Sequence, residues 1–328
     1  MGPRVRGGRR GRGDVDVVGD QVSRARDGDP RAVARLISLV EDESPLLREV
    51  TAALAPHAGH AKIVGITGAP GVGKSTSTSA LVGELRKAGQ RVGILAVDPS
   101  SPFSGGALLG DRVRMQDHAL DPEVYIRSMA SRGHLGGLAW STPQAIRVLD
   151  AAGCDVVLIE TVGVGQSEVE IAGLADTTLV LLAPGMGDGI QAAKAGILEI
   201  GDVYVINKAD RDGADTLRRE LRSMLALAER GEGDWKPPIV KTVASKNDGL
   251  DQVVIEIDRH HDWLESSGQL AVRRTTRARD EIEAIALTAL RERWGDVHGR
   301  SELDDLARQV AAGESDPYAA AETLLAEL

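Results

Sequence analysis

The feature that most constrains this chain is a series of short, almost unbroken aliphatic runs separated by helix-like stretches. The runs are "KIVGIT", "RVGILAV", "DVVLIE", "TLVLLAP", "DVYVIN" and "IVKTV", spread between Lys62 and Val243. A strand with one wet face alternates apolar and polar residues, whereas a strand covered on both faces need not. Runs this continuous predict parallel strands between helical layers. Their alternation with helical segments predicts a doubly wound α/β sheet. Ligands of such sheets bind outside the carboxyl ends of the strands. The residues that end or directly follow the first five runs therefore carry the functional information. They are Gly68, Asp98, Glu160, Pro184 and Asn207.

The flanks have a different rhythm. Asp29-Pro30 and Ser44-Pro45 each pair an N-cap residue with a proline suited to a first helical turn. Val33, Leu36, Ile37 and Val40 then recur at helical spacing, as do Leu46, Val50 and Leu54. Beyond about residue 265 the pattern is helical throughout. Ile282, Ile285, Ala286, Ala289 and Leu290 share one face, and Asp316-Pro317 opens a further helix. No internal repeat is visible. The resulting division is a disordered Arg/Gly-rich tail over 1–20, N-terminal helices over 21–58, an α/β domain over 59–265 and a helical arm over 266–328.

Composition narrows the class. The chain has 328 residues and is 42% hydrophobic but only 2% aromatic, so its core must be aliphatic. The net charge of −10 argues against a general nucleic-acid binder, which would present a basic face. The lone Cys154 allows no internal disulfide, and its place before an apolar strand suits a buried structural thiol. No apolar run approaches the roughly 20 residues of a membrane span. The expected compartment is the cytoplasm.

The stretch "GITGAPGVGKST" holds Gly68, Ala69, Pro70, Gly71, Val72, Gly73, Lys74, Ser75 and Thr76 in the Gly-x-x-x-x-Gly-Lys-Ser spacing of a P-loop. Glycines let successive backbone N–H groups converge on phosphates, and the following helix presents its positive end. Lys74 is placed to bridge the outer phosphates, and Ser75 to give a hydroxyl to Mg²⁺. "VINKAD" ends a later strand with Asn207, Lys208 and Asp210, the guanine-reading pattern. Asp210 can accept from both the ring N–H and the exocyclic amine of guanine. Adenine lacks that amine and presents a lone pair at the ring position. In "VASKNDG", the backbone near Ser245 and Lys246 suits the guanine carbonyl. Asp98, Asp111 and Glu160 are the acids at the phosphate end and, with Ser75, the candidate Mg²⁺ ligands, directly or through water.

Together these motifs resemble the methylmalonyl-CoA mutase-associated GTPases of the MeaB/ArgK type, over about residues 30 to 328. The resemblance rests on "GAPGVGKST", "AVDPSSPFSGGALLGDRVRM", "RSMASRGHLGG", "IETVGVGQSE", "APGMGDGIQAAKAG" and "NKAD". It implies a P-loop GTPase domain with N-terminal helices and a C-terminal arm that makes a homodimer. It implies binding of GTP and GDP, hydrolysis of GTP with Mg²⁺, and a role in loading and protecting the adenosylcobalamin of methylmalonyl-CoA mutase, with neither nucleic acid nor membrane as partner. Glu160 and Gly163 match the switch in which glutamate replaces the usual aspartate. Asp188, Gln191 and Lys194 match the polar members of an extra switch loop. Lys74, Asp98, Asp111, Glu160 and Gly163 are thus the expected catalytic set.

The position that usually carries a water-orienting glutamine is Val164, and Gln166 comes two residues later. Arg112, Arg114, Arg127 and Arg132 are the arginines that could neutralise phosphate charge. The competing enzyme class is an ATP-dependent kinase of amino-acid transport proteins, which leaves Asp210 unexplained. A nickel-type metallochaperone GTPase would need Cys/His clusters, and the pairs His57/His60 and His260/His261 have no cysteine beside them.

Overall fold

Seven strands form one all-parallel sheet in the order β3-β2-β4-β1-β5-β6-β7 in a computed structural model. It describes residues 12–42, 44–98, 118–130, 141–161, 167–185, 199–228, 231–294 and 301–326. The strands are β1 (Lys62–Gly68), β2 (Val92–Asp98), β3 (Val124–Ala130), β4 (Val156–Thr161), β5 (Thr177–Leu182), β6 (Val203–Ile206) and β7 (Ile239–Lys241). The six aliphatic runs are β1, β2 and β4 to β7, as expected, and β1 sits centrally between β4 and β5.

Both faces of the sheet are covered, which is why its strands need no polar alternation. On one face Leu95, Val97, Val157 and Ile159 pack with α1 (Arg12–Arg26), α2 (Pro30–Glu41), α3 (Leu47–Leu54) and α5 (Thr142–Ala151). On the other, Val64, Ile66, Ile94, Leu158 and Leu181 pack with α4 (Lys74–Lys87) and α8 (Leu250–Ser266). The remaining helices of this part are α6 (Ser167–Leu174) and α7 (Ala214–Leu225). Leu217 and Leu221 of α7 close a smaller core over Val180, Tyr204 and Ile206.

Four local features refine the sequence expectations. Asp29 caps α2 by accepting from Arg31 N at 2.9 Å and Ala32 N at 3.4 Å. Ser44 Oγ accepts from Leu46 N at 3.2 Å, but α3 begins only at Leu47. Helix α1 starts at Arg12, inside the stretch expected to be a tail, because Val18, Val22 and Ala25 find a core to enter. Strand β3 was not expected at all. Arg127 and Ser128 interrupt its apolar run, one on each face, while Tyr125 and Met129 pack on the α2 side and Val124 and Ile126 on the α4 side.

By contact density the chain divides into two compact units, Met1–Leu270 and Ala271–Leu328. In the second, α9 (Gln269–Trp294) contributes most of its length, followed by α10 (Ser301–Ala311) and α11 (Pro317–Ala326). Asp316 caps α11 through Tyr318 N at 2.9 Å and Ala319 N at 3.1 Å. None of the described helices is long and apolar enough to cross a membrane.

Candidate nucleotide site

The loop after β1 is shaped by glycines that no other residue could replace without strain. Gly68 sits at φ +143°, and a Cβ there would lie 2.3 Å from the carbonyl oxygen of Leu181. Gly73 sits at φ +97°, with the Nδ2 of Asn207 2.5 Å from where a Cβ would be. Helix α4 then starts at Lys74 with no side-chain cap, its early bond running from Ser77 N to Gly73 O at 2.9 Å. The backbone N–H groups of Lys74, Ser75 and Thr76 thus stand at the positive end of a helix, the geometry that receives phosphate. Val72 is buried, while Pro70 and Gly71 are exposed on the loop's outer side. Lys74 is 9% exposed and folds back over the loop, donating to Gly68 O at 2.6 Å.

A second loop, after β6, is tied directly to the first. Asn207 is buried, donates through Nδ2 to Val72 O at 2.9 Å, and accepts at Oδ1 from Ala244 N at 3.1 Å and Thr242 Oγ1 at 3.3 Å. Lys208, at φ +55°, lays its ammonium on Gly71 O at 2.6 Å. The sequence reading found Asn207 and Lys208 but not Thr242. Its position at the end of β7, two residues before the Ala244–Lys246 turn, was the available signal. Ser245 and Lys246 lie exposed on that turn, and Lys246 Nζ donates to Asp210 Oδ2 at 2.9 Å. That bond, with the attraction between the two charges, holds the Asp210 carboxyl below its ordinary value and raises the Lys246 ammonium.

The acids are placed by strand register. Ile66 of β1 and Ala96 of β2 flank Glu160 of β4. Glu160 is 1% exposed, and its Oε1 accepts from Ser75 Oγ at 2.6 Å. Asp98 is the last residue of β2, two beyond Ala96, and its carboxylate lies outside the described atoms. Asp111, Gly163, Asp188, Gln191 and Lys194 lie outside the described residues, as do Arg112, Arg114, Arg132 and Gln166. Arg127 is described, and it is not a phosphate-facing arginine. Its guanidinium binds Glu41 and Ser38 of α2, on the face of the sheet opposite α4.

Chemically, the described donors Ser75 and Glu160 offer only oxygen, which suits a hard cation such as Mg²⁺. Among the described residues no group of three or more His, Cys, Asp or Glu side chains could hold a metal ion. Cys154 is buried and its thiol is pushed up by desolvation, so it is inert rather than nucleophilic.

Comparison with known proteins agrees with this geometry. The family model described as methylmalonyl Co-A mutase-associated GTPase MeaB matches residues 33–297. A Pyrococcus abyssi protein named as a GTPase is 48% identical over 314 residues, spanning 95% of this chain and 97% of that protein. The mouse mitochondrial methylmalonic aciduria type A homolog is 36% identical over 266 residues, covering 80% of this chain and 64% of its own. A crystal structure of an LAO/AO transport system kinase superposes with a TM-score of 0.73 at 27% identity, covering 94% of this chain and 96% of that one.

Proposed function

We propose, from the premise that this chain belongs to the family of methylmalonyl Co-A mutase-associated GTPases (MeaB), that it is a GTP-driven gatekeeper for adenosylcobalamin loading and protection of a methylmalonyl-CoA mutase. It is a P-loop GTPase, converting GTP and water to GDP and phosphate. The mutase enters through the family description and the mouse relative's name.

The observation that carries the nucleotide assignment is Asn207. One buried amide holds the P-loop at Val72 and the base loop at Ala244, so phosphate and base subsites are braced as one unit. In this reading Gly68 to Thr76 cradle the phosphates and Lys74 leaves Gly68 O to meet their charge. Asp210 accepts from guanine, with the Ser245 and Lys246 backbone at its carbonyl. Mg²⁺ would be held by Ser75 and Glu160, with Asp98 and Asp111 as further ligands or through water, and it would neutralise phosphate charge. Glu160 accepts the Ser75 proton, leaving a lone pair of Ser75 Oγ to face the cation. Gly163 would offer its N–H to the γ-phosphate, and Asp188, Gln191 and Lys194 would relay nucleotide state. With Val164 in the usual glutamine position, intrinsic hydrolysis is slow and a partner accelerates it.

The division into tail, N-terminal helices, GTPase domain and arm belongs to the same proposal, as do the cytoplasmic compartment and the homodimer. Ile282, Ile285 and Leu290 on α9 are 67%, 43% and 41% exposed, an apolar row suited to a second copy. The name of the solved relative keeps a transport-protein kinase as the second reading.

Titrations with GTP and ATP, on wild type and Asp210→Ala, separate the two readings. GTP binds tighter, and Asp210→Ala removes that preference; tighter ATP binding overturns the assignment. Pull-down with a non-hydrolysable GTP analogue recovers a cobalamin-dependent mutase. Recovery of a transport-binding protein instead overturns the client.

A further inference from the structure

We propose that Lys246 sets the base selectivity of this site, by holding an oxygen of Asp210 that guanine must take and hypoxanthine need not. The inference rests on Asp210 being the base acceptor.

Lys246 Nζ donates to Asp210 Oδ2 at 2.9 Å, with side chains 64% and 42% exposed. The rest of the base loop is fixed. Lys246 N bonds Val243 O at 2.8 Å, Asn247 N bonds Ala244 O at 3.2 Å, and Val243 pairs with Asp248 across the turn. Asn207 anchors Ala244 N from below. With the backbone set this way, the lysine side chain is the part able to move.

Guanine presents two donors to the carboxylate, the ring N–H and the exocyclic amine, and so needs both oxygens of Asp210. Hypoxanthine, the base of inosine nucleotides, presents the ring N–H alone. It can take one oxygen while Lys246 keeps the other. Guanine must therefore displace the ammonium, and the displaced contact is subtracted from its advantage. Asp248, paired with Val243 across the same turn, adds to the charge stabilisation of the ammonium. The pair is solvent-exposed, so the subtraction is modest, about two- to fivefold in affinity.

The test is calorimetric titration of the full chain with GDP, IDP and ADP, on wild type and Lys246→Met, which keeps the stem and removes the charge. The ratio of GDP to IDP affinity rises about two- to fivefold in Lys246→Met, and the gain shrinks as salt screens the pair. An unchanged or lower ratio, with wild type still preferring GDP to ADP, overturns the role of Lys246 alone. Wild type binding ADP as tightly as GDP overturns the base assignment beneath it. Reading a ratio removes any general loss of nucleotide affinity from the result.

Discussion

Ser75 and Glu160 meet at 2.6 Å, the hydroxyl of the first turn of α4 donating to a carboxylate near the end of β4. Their contact gives the buried acid a partner, since Glu160 is 1% exposed and touches Ser75, the hydroxyl proposed for Mg²⁺. Glutamate has one more methylene than aspartate, and from β4 that length spans to α4. Glu160→Gln keeps the shape and acceptor but loses the charge. Mg²⁺-dependent GTP hydrolysis should fall about 10- to 100-fold, with the Mg²⁺ requirement moved to higher concentration. GDP binding in the presence of a chelator should change little. Steady-state rates across a Mg²⁺ titration measure this, and wild-type hydrolysis in Glu160→Gln would remove the metal role.

Asn207 gives a second prediction, because its three hydrogen bonds are buried and join two loops. Asn207→Ala strands Val72 O, Ala244 N and Thr242 Oγ1 at once. The expected loss is about 1–3 kcal/mol of stability in urea unfolding, together with weaker GDP binding. Saturating GDP should restore part of the lost stability by mass action. A variant that unfolds like wild type but binds GDP weakly would mean the amide reads the ligand and braces nothing.

The sheet was legible in the sequence because strands buried on both faces leave unbroken aliphatic runs, and every such run became a strand. Edge strand β3 left no such run. Arg127 and Ser128 interrupt it, one on each face, although Tyr125 and Met129 pack on one side of the sheet and Val124 and Ile126 on the other. Helix α1 was hidden for a related reason. Its Val18, Val22 and Ala25 are sparse beside the arginines, and they make sense only against a core built by distant residues. The phosphate and base loops were legible because glycine spacing and Asn-Lys-x-Asp encode backbone shape and donor pattern locally. The Asn-Lys-x-Asp pattern also implied that Asn207 ties its loop to the P-loop, as its bond to Val72 O does. What no local pattern encoded were the contacts of Lys208 with Gly71 and of Lys246 with Asp210. Arg127 shows the converse, a plausible charge in sequence that the fold commits to Glu41 on the other face.

Two glycines with positive φ separate conformational strain from collision. Gly89, at φ +78°, ends α4 with nothing within 4 Å of a would-be Cβ. Gly68, at φ +143°, would drive its Cβ to 2.3 Å from Leu181 O in the neighbouring strand. Gly89→Ala should cost about 1–2 kcal/mol, the left-handed penalty alone. Gly68→Ala should exceed about 4 kcal/mol, because backbone of β5 must move as well. Urea unfolding of both variants tests this, and equal costs would mean that the P-loop entry yields where the geometry says it is pinned.

Cys154 gives a prediction in pH. It is 3% exposed, and burial raises its thiol above the ordinary value of 9.0, with Arg91 opposing the shift without reversing it. The folded chain therefore keeps this proton at pH values where the unfolded chain has released it. Stability attached to the protonated thiol is complete below about pH 9 and declines as pH rises beyond it, by up to about 1.4 kcal/mol per pH unit. Burial also raises the Tyr125 phenol, which adds the same sign at higher pH. The part of the Tyr125 shift that comes from burial is common to wild type and Cys154→Ala and cancels in their difference, and the part due to Cys154 itself has the same sign as the thiol's own effect. Urea unfolding of both from about pH 7 to about pH 10 should show a constant gap at the neutral end. Above about pH 9 that gap should shift against wild type. A gap that stays flat would mean that the thiol ionises as easily in the folded chain as in the unfolded one, and that the turn leading into β4 is open to water.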